Sequence, residues 1–455
     1  MNTIFQSTYW PFCILILAIL MVVILISKLK IHPFISLIIS AIFVGLLSHD
    51  LPIDISNHLV AAVELPMREL GSTAGKIAWV IALAAIIGTA MMESGAARKI
   101  VDSLLLSLGE AKAGWALLIS GFILSIPVFF DTVFFLLIPI AIALAVKTGK
   151  NFVYYVIAIC AGAVITHSLV PPTPGPLIMA ETLGIEIGTT VIAGVLCGII
   201  PSIVALNIGK RMDVKLNIPV RVSSAIEGDQ LKSPGLLESI LPIILPIVFI
   251  ASSSFVNVLR DQPIPFIEFL GNKNIAMAIG AAIALWTWST QRGLSPKGLW
   301  EACLKPLEIA GIIILITSAG GAFGAMIKHS GIAMSIEAAT THFQIHYLLL
   351  AWLISAVMKT AQGSTTVAVI TASSIMYALI GDGSSLSYHP IYVLLAVGFG
   401  GGFISWMNDS GFWVVSKMSG FTEKEALQTW TLMFAVIALV GLLQVLILSY
   451  VLPLT

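Results

Sequence analysis

The sequence predicts an all-α polytopic membrane protein. It is made of two inverted-topology repeats, each with a re-entrant hairpin and a broken transmembrane helix. Three observations predict this: an apolar composition, a series of membrane-length spans, and the recurrence of the same polar interruptions in both halves. Hydrophobic residues make up 58% of the 455 and charged residues 10%, and the mean hydropathy is +1.03. A soluble domain of this size would carry about 25% charged residues. The composition therefore excludes a soluble enzyme and makes the lipid bilayer the surrounding medium. A formal net charge of zero argues against a nucleic-acid partner. Cys13, Cys160, Cys197 and Cys303 lie in apolar stretches without a CxxC pair and read as small buried hydrophobes. The apolar run from Pro11 to Ile26 ends at Lys28 and Lys30 without a small-residue cleavage site, so it reads as a retained first helix.

A helix needs about 20 apolar residues to cross a bilayer. Candidates are 11–29, 31–48, 76–93, 186–207, 237–258, 272–290, 305–327 and 428–451. The longer regions 113–147, 151–185 and 343–418 are interrupted at their middles by Pro, Gly, Ser, Thr or a charge. Lys and Arg in short loops set orientation. Lys28/Lys30, Arg98/Lys99/Lys112, Lys147/Lys150, the group from Lys210 to Lys232, Arg292/Lys297/Lys305 and Lys417/Lys424 are placed in the cytoplasm. Loops 49–75, 259–271, 328–342 and 382–388 then face outward, as do both termini. Region 113–147 has basic flanks at both ends and becomes a re-entrant hairpin, while 343–381 becomes the matching hairpin from the outer side. Segments 151–185 and 387–418 each cross once as a broken helix.

The halves echo each other. Met92-Glu93-Ser94-Gly95 resembles His329-Ser330-Gly331, the run Ser125–Thr132 occupies the place of Lys359–Thr366, and Thr166–Pro176 that of Trp406–Trp413. A near-constant offset is the mark of duplication. The charge rule sends the equivalent helices 76–93 and 305–327 in opposite directions, so the repeats are inverted. The organisation is a first repeat over 1–207, a cytoplasmic linker over 208–236 and a second repeat over 237–455. Discontinuous helices at matching positions of inverted repeats are the pattern of secondary transporters, whose sites lie at the breaks near the midplane. Irregular backbone at membrane depth is tolerated only where it is buried or lines a wet cavity.

Several residues at the breaks carry chemistry. Asp131, in Phe129-Phe130-Asp131-Thr132-Val133-Phe134-Phe135, is a costly carboxylate in an apolar run. It reads as a proton-binding group or as a structural cap on the hairpin's second half-helix. Lys359 precedes Gln362-Gly363-Ser364-Thr365-Thr366, where Gly suits a tight tip and Ser/Thr the next N-cap. The free N–H groups of such a half-helix attract a carboxylate. Lys359 is either the substrate's counter-charge or a lysine snorkelling to the surface. His167-Ser168 precedes Pro171-Pro172-Thr173-Pro174-Gly175-Pro176, whose prolines cannot continue a helix. His167 either serves proton transfer and a substrate hydroxyl or packs as a satisfied core histidine. In Asn408-Asp409-Ser410-Gly411, Asn408 and Ser410 suit a polyhydroxy substrate, and Asp409 is a second titrating carboxylate or an N-cap. Glu93 reads as solvated, and Gly320/Gly321/Gly324 as close helix packing. No P-loop, zinc spacing or nucleophile motif points to an enzyme, and no cofactor or metal is called for beyond a coupling ion, expected to be the proton.

The motifs Gln362–Val367, Asn408–Trp413, Pro171–Pro176 and the Phe129-Phe130-Asp131 hairpin together resemble the gluconate permease family of the ion-transporter superfamily, over nearly the whole chain. The resemblance implies proton symport of gluconate or a related hydroxy acid, a scaffold with a transport domain, and a homodimer in the bacterial inner membrane. Members also carry other sugar acids, glycerate or D-serine, and sodium coupling or ion antiport suits the same fold. The sequence departs from the family's frequent Glu at Asp131, Arg at Lys359 and His at Thr173. Lysine for arginine forgoes bidentate carboxylate recognition. The expected site is thus Lys359, Gln362, Gly363, Ser364, Thr365, Asn408, Ser410, His167, Ser168 and Thr173 for a small organic anion, with Asp131 and Asp409 for the proton.

Overall fold

The computed structural model describes residues 10–454 apart from 50, 222–232, 260–263, 332–345 and 408. The described residues form helices joined by short connections. In the first half these are α1 (Trp10–Val23), α2 (Pro33–Leu47), α3 (His58–Glu93), α4 (Ala96–Leu108), α5 (Ala113–Leu124), α6 (Phe130–Thr148), α7 (Phe152–Leu169), α8 (Pro174–Leu183) and α9 (Ile187–Leu216). In the second they are α10 (Leu236–Leu259), α11 (Pro265–Gly271), α12 (Lys273–Arg292), α13 (Pro296–Ala302), α14 (Leu304–His329), α15 (Tyr347–Gln362), α16 (Thr365–Ile380), α17 (Ile391–Gly400), α18 (Ser410–Ser419), α19 (Glu423–Ala426) and α20 (Leu432–Val451). A π turn over Leu427–Thr431 joins the last two. At least seven described helices, single or nearly continuous, are long and apolar enough to cross a membrane.

The repeats are visible in the packing. Helix α3 lies along α14, α3 also packs on α12, and α14 packs on α2, the crossed exchange a pseudo-twofold relation requires. Each hairpin rests on its own broken helix: α5 and α6 on α7, α15 on α17. Nearly every residue of α7 and all of α17 are buried. Neighbouring helices enclose them, so the broken helices form the centre.

Local chemistry ends each half-helix. Pro127 follows Ser125 and Ile126 in hairpin 1, and a proline disfavours the helical region for the residue before it. In hairpin 2, Gly363 adopts φ +84°, open to a residue without Cβ. The Ser364 side chain then accepts from the Val367 N–H at 3.3 Å. Pro174 occupies the first turn of α8, where its missing donor is not needed. Asp409 caps α18 by accepting from the Gly411 N–H at 2.9 Å.

Two boundaries differ from expectation. The outward loop expected over 49–75 is helical from His58, because Asn57 accepts from the Leu59 N–H at 3.0 Å and Ala61, Ala62, Leu65 and Pro66 are buried. The resulting 36-residue helix is roughly 54 Å long, well beyond a hydrocarbon core of about 30 Å. The linker expected from 208 begins later, since α9 continues to Leu216 and stops where Asn217 takes φ +44°. Asp213 anchors that extension by accepting from the Val153 N–H at 2.9 Å.

The halves are not in the same position. On α14, Gly320 meets Ile370 and Gly324 meets Ser374, with no room for a Cβ at either glycine. Gly88, which matches Gly324 on α3, meets instead the hairpin 1 tip at Pro127 and Val128. Ser374 stands ten residues beyond the cap Ser364, whereas Val128 stands one residue before the cap Phe129. The two hairpins are therefore offset along their neighbours by roughly 15 Å at 1.5 Å per residue. The face of α6 equivalent to Ile370 is left open, and Phe135 on it is 45% exposed.

Candidate functional site

The breaks of both hairpins and both broken helices meet at one cavity of about 610 Å³, within the range of small-molecule sites. Its polar side is built by half-helix N-termini: Phe130, Asp131 and Thr132 of α6, Pro174 of α8, Ser364 to Val367 at α16, and Asp409 to Gly411 at α18. His167 and Ser168 of α7 and the tip residue Gly363 complete that side. The apolar part of the lining comes from Ile309, Ile313 and Ile316 of α14 with Phe129, Trp430 and Phe434. Four N-termini meet at this space and bring positive dipole ends to it, and those of α6, α16 and α18 bring backbone N–H groups as well, an arrangement suited to an anion. Among the described residues, the lining includes no Lys or Arg.

The carboxylates differ. Asp131 lines the cavity in the first turn of α6. Asp409 is held on all sides: Lys359 Nζ lies 2.6 Å from its Oδ2, the Ser405 hydroxyl donates to the same oxygen, and its Oδ1 caps α18. Lys359 has no exposed surface and also donates to the Gly363 carbonyl at 2.5 Å. Trp430 Nε1 in turn donates to Ser405 Oγ at 2.8 Å, and Thr431 Oγ1 donates to the Ser405 carbonyl at 2.5 Å.

Two expectations are corrected here. Lys359 neither snorkels nor faces the substrate space, because it lies behind the hairpin 2 tip, paired with Asp409 and bonded to Gly363. Thr173 is buried and its hydroxyl is spent on the backbone, donating to the Val170 carbonyl at 2.6 Å and the His167 carbonyl at 3.1 Å. It ties the break of the first broken helix together. Asp131, His167, Ser168, Gly363, Ser364, Thr365, Asp409 and Ser410 are brought together around the cavity. Asn408 and the side chain of Gln362 lie outside the described residues. Glu93, expected in solvent, is half exposed but 3.5 Å from Arg292, whose Nε also donates to the Glu93 carbonyl at 2.7 Å.

The histidine and its neighbour are not satisfied core residues. His167 Nδ1 and Ser168 Oγ are buried without a hydrogen-bond partner, and both residues border the cavity. A buried polar atom left unpaired costs about 1–3 kcal/mol, which a bound hydroxyl or carboxylate would relieve. The Phe129 ring stands edge-on to the imidazole at 6.4 Å.

Ser405, Trp430 and Phe130 were not legible as site residues. Trp430 sits in a stretch that reads as an ordinary apolar span, and the one signal was the pair Thr429 and Thr431 flanking it. Its ring lies 5.1 Å from Phe130 and 4.4 Å from Phe434.

Duplicated halves, helices broken at matching points and a cavity where the breaks meet define a polytopic membrane transporter. More closely, the chain belongs to the GntP family of permeases, whose family model matches residues 10–451. An uncharacterized permease of Haemophilus influenzae is 32% identical, over 92% of this chain and 88% of that protein. The gluconate permease of Pseudomonas aeruginosa is 30% identical, over 94% of this chain and 95% of its own length. The crystal structure of the YdaH transporter of Alcanivorax borkumensis shares the fold with a TM-score of 0.66 over 95% of this chain and 99% of that one, at 14% identity. The protein is thus a multi-pass membrane permease and not an enzyme.

Proposed function

We propose that the protein is a secondary active transporter of the bacterial inner membrane that imports gluconate or a related small hydroxy-carboxylate with a proton. The observation carrying this reading is the convergence of four half-helix N-termini with Asp131 on one cavity that no Lys or Arg among the described residues lines. The carboxylate of the substrate takes the N–H groups at Ser364–Thr366 and Ser410. Its hydroxyls satisfy His167 Nδ1 and Ser168 Oγ. An anion entering beside a charged Asp131 is repelled, and a proton on Asp131 removes that repulsion, which ties substrate binding to proton binding. Asp409, neutralised in place by Lys359, holds the hairpin 2 tip against the second broken helix.

The gluconate permease of Pseudomonas aeruginosa, similar over nearly its whole length, supports the substrate class. The basic loops support an orientation with both termini outside, in which the cavity lies against the cytoplasmic half of α14. A homodimer is part of the same proposal. The test is uptake of labelled gluconate into proteoliposomes holding the purified protein, under an imposed pH gradient or a sodium gradient. Accumulation driven by the pH gradient alone is expected. Movement of D-serine or glycerate with none of gluconate would overturn the substrate, and accumulation requiring sodium would overturn the proton.

A further inference from the structure

We propose that Trp430 and Ser405 form a positioning relay that fixes the Asp409 carboxylate relative to the hairpin 1 tip.

The geometry is a chain of contacts across the cavity wall. The Trp430 N–H donates to Ser405 Oγ at 2.8 Å, and the Ser405 hydroxyl donates to Asp409 Oδ2, the oxygen that Lys359 also holds. A hydroxyl that accepts one hydrogen bond while donating another is polarised and confined to one rotamer, which strengthens the bond it donates. The other end of the chain is the indole ring. It is 5.1 Å from Phe130, the neighbour of Asp131, and its own surface is almost wholly buried. Trp430 therefore touches the break bearing one carboxylate and, through Ser405, orients the carboxylate of the other.

The local backbone fits this role. Trp430 lies in the π turn Leu427–Thr431 between α19 and α20. Such turns insert an extra residue into a helix, re-aim its side chains and occur often at functional sites. The same turn gives Thr431, whose hydroxyl holds the Ser405 carbonyl at 2.5 Å. Two consecutive residues thus clamp Ser405 at its side chain and its backbone. The charged or titratable groups facing Asp409 are Lys359 from α15, Asp131 from α6 and His167 from α7.

This inference rests on the proposed transport reading, and the experiment separates the two. The rate of labelled-substrate uptake is measured against substrate concentration, under one imposed pH gradient, in proteoliposomes for wild type, W430F, S405A, the double variant and S405T. W430F keeps a ring and loses only the donor, and S405T keeps the hydroxyl. With the Asp409 carboxylate freed from the hairpin 1 tip, W430F and S405A are expected to lower the maximal rate about tenfold, the loss of one hydrogen bond, while the half-saturating concentration changes little. The double variant should lower it no further than either alone, and S405T should lie with wild type. A W430F profile that superposes on wild type, or losses that compound in the double variant, overturns the relay. If W430F fails to fold, the S405A and S405T profiles decide, and equal profiles overturn it. A wild type that moves no substrate under any gradient refutes the transport reading itself.

Discussion

Lys359 has no exposed surface and its ammonium is committed to Asp409 and to the Gly363 carbonyl. A buried ion pair is a poor source of net stability, but removing one partner strands the other in low dielectric at about 3–5 kcal/mol. Lys359→Ala is therefore expected to lower the thermal unfolding midpoint sharply, with the apparent substrate affinity of the surviving protein little changed. Adding Asp409→Asn in the same chain should restore much of the stability, and unfolding scans of the single and double variants in detergent check this. Asp131→Asn is expected to behave differently, because no lysine or arginine among the described residues pairs with that carboxylate. It should abolish pH-driven accumulation while leaving exchange of labelled for unlabelled substrate measurable. Full accumulation by Asp131→Asn would remove this residue from coupling. The sequence displayed both carboxylates and the lysine but not their pairing, since 50 residues separate Lys359 from Asp409 and only the folded second broken helix brings them together.

At the scale of elements, the breaks were the most legible feature. Prolines without donors and a glycine at positive φ leave a helix no way to continue, and these are local properties of the chain. What was not legible is how closely the pieces approach. Gly121 of α5 and Gly162 of α7 lie where hairpin 1 packs on the first broken helix, and an added Cβ would meet the backbone of Ile159 or Leu118. In a membrane such close approach replaces the hydrophobic effect as the source of helix packing. Gly162→Ala should force α5 off α7 and destabilise by about 1–3 kcal/mol. Gly71→Ala, with nothing within 4 Å of the added atom, should be neutral or stabilising by up to about 1 kcal/mol. Parallel thermal scans compare the two, and an equal loss at both positions would contradict the packing argument. The polar stretch from His58 to Gly75 misled in the opposite direction. Its charges and Pro66 read as loop, yet an N-cap and a buried apolar stripe make it helix.

At the scale of the molecule, duplication was readable from recurring motifs and the inversion from loop charges, while the difference between the halves was not. Helix α16 lies against the Gly320/Gly324 face of α14, but α6 makes no such packing against α3, and Phe135 is left open. Alternating access through inverted repeats follows if the halves trade these arrangements. In the traded state Phe135 packs where Ala84 stands on α3, and the hairpin 2 tip rises to Gly324, a shift of roughly 15 Å. With Cys13, Cys160, Cys197 and Cys303 replaced, cysteines at positions 84 and 135 should cross-link during turnover and more slowly without substrate. If each single-cysteine variant transports and the pair never cross-links, the exchange of arrangements is refuted.

The private pairing of Lys359 with Asp409 also bears on voltage. It leaves the cavity with one uncompensated charge, that of Asp131. When empty and deprotonated, the site carries one negative charge outward. With a proton on Asp131 and a monovalent acid bound, it carries one negative charge inward. A 100 mV potential acts on a unit charge with about 2.3 kcal/mol, but the work done on the two legs cancels. The cycle would draw on acidity alone, and a potassium diffusion potential imposed at fixed pH should leave the final accumulation ratio where it was.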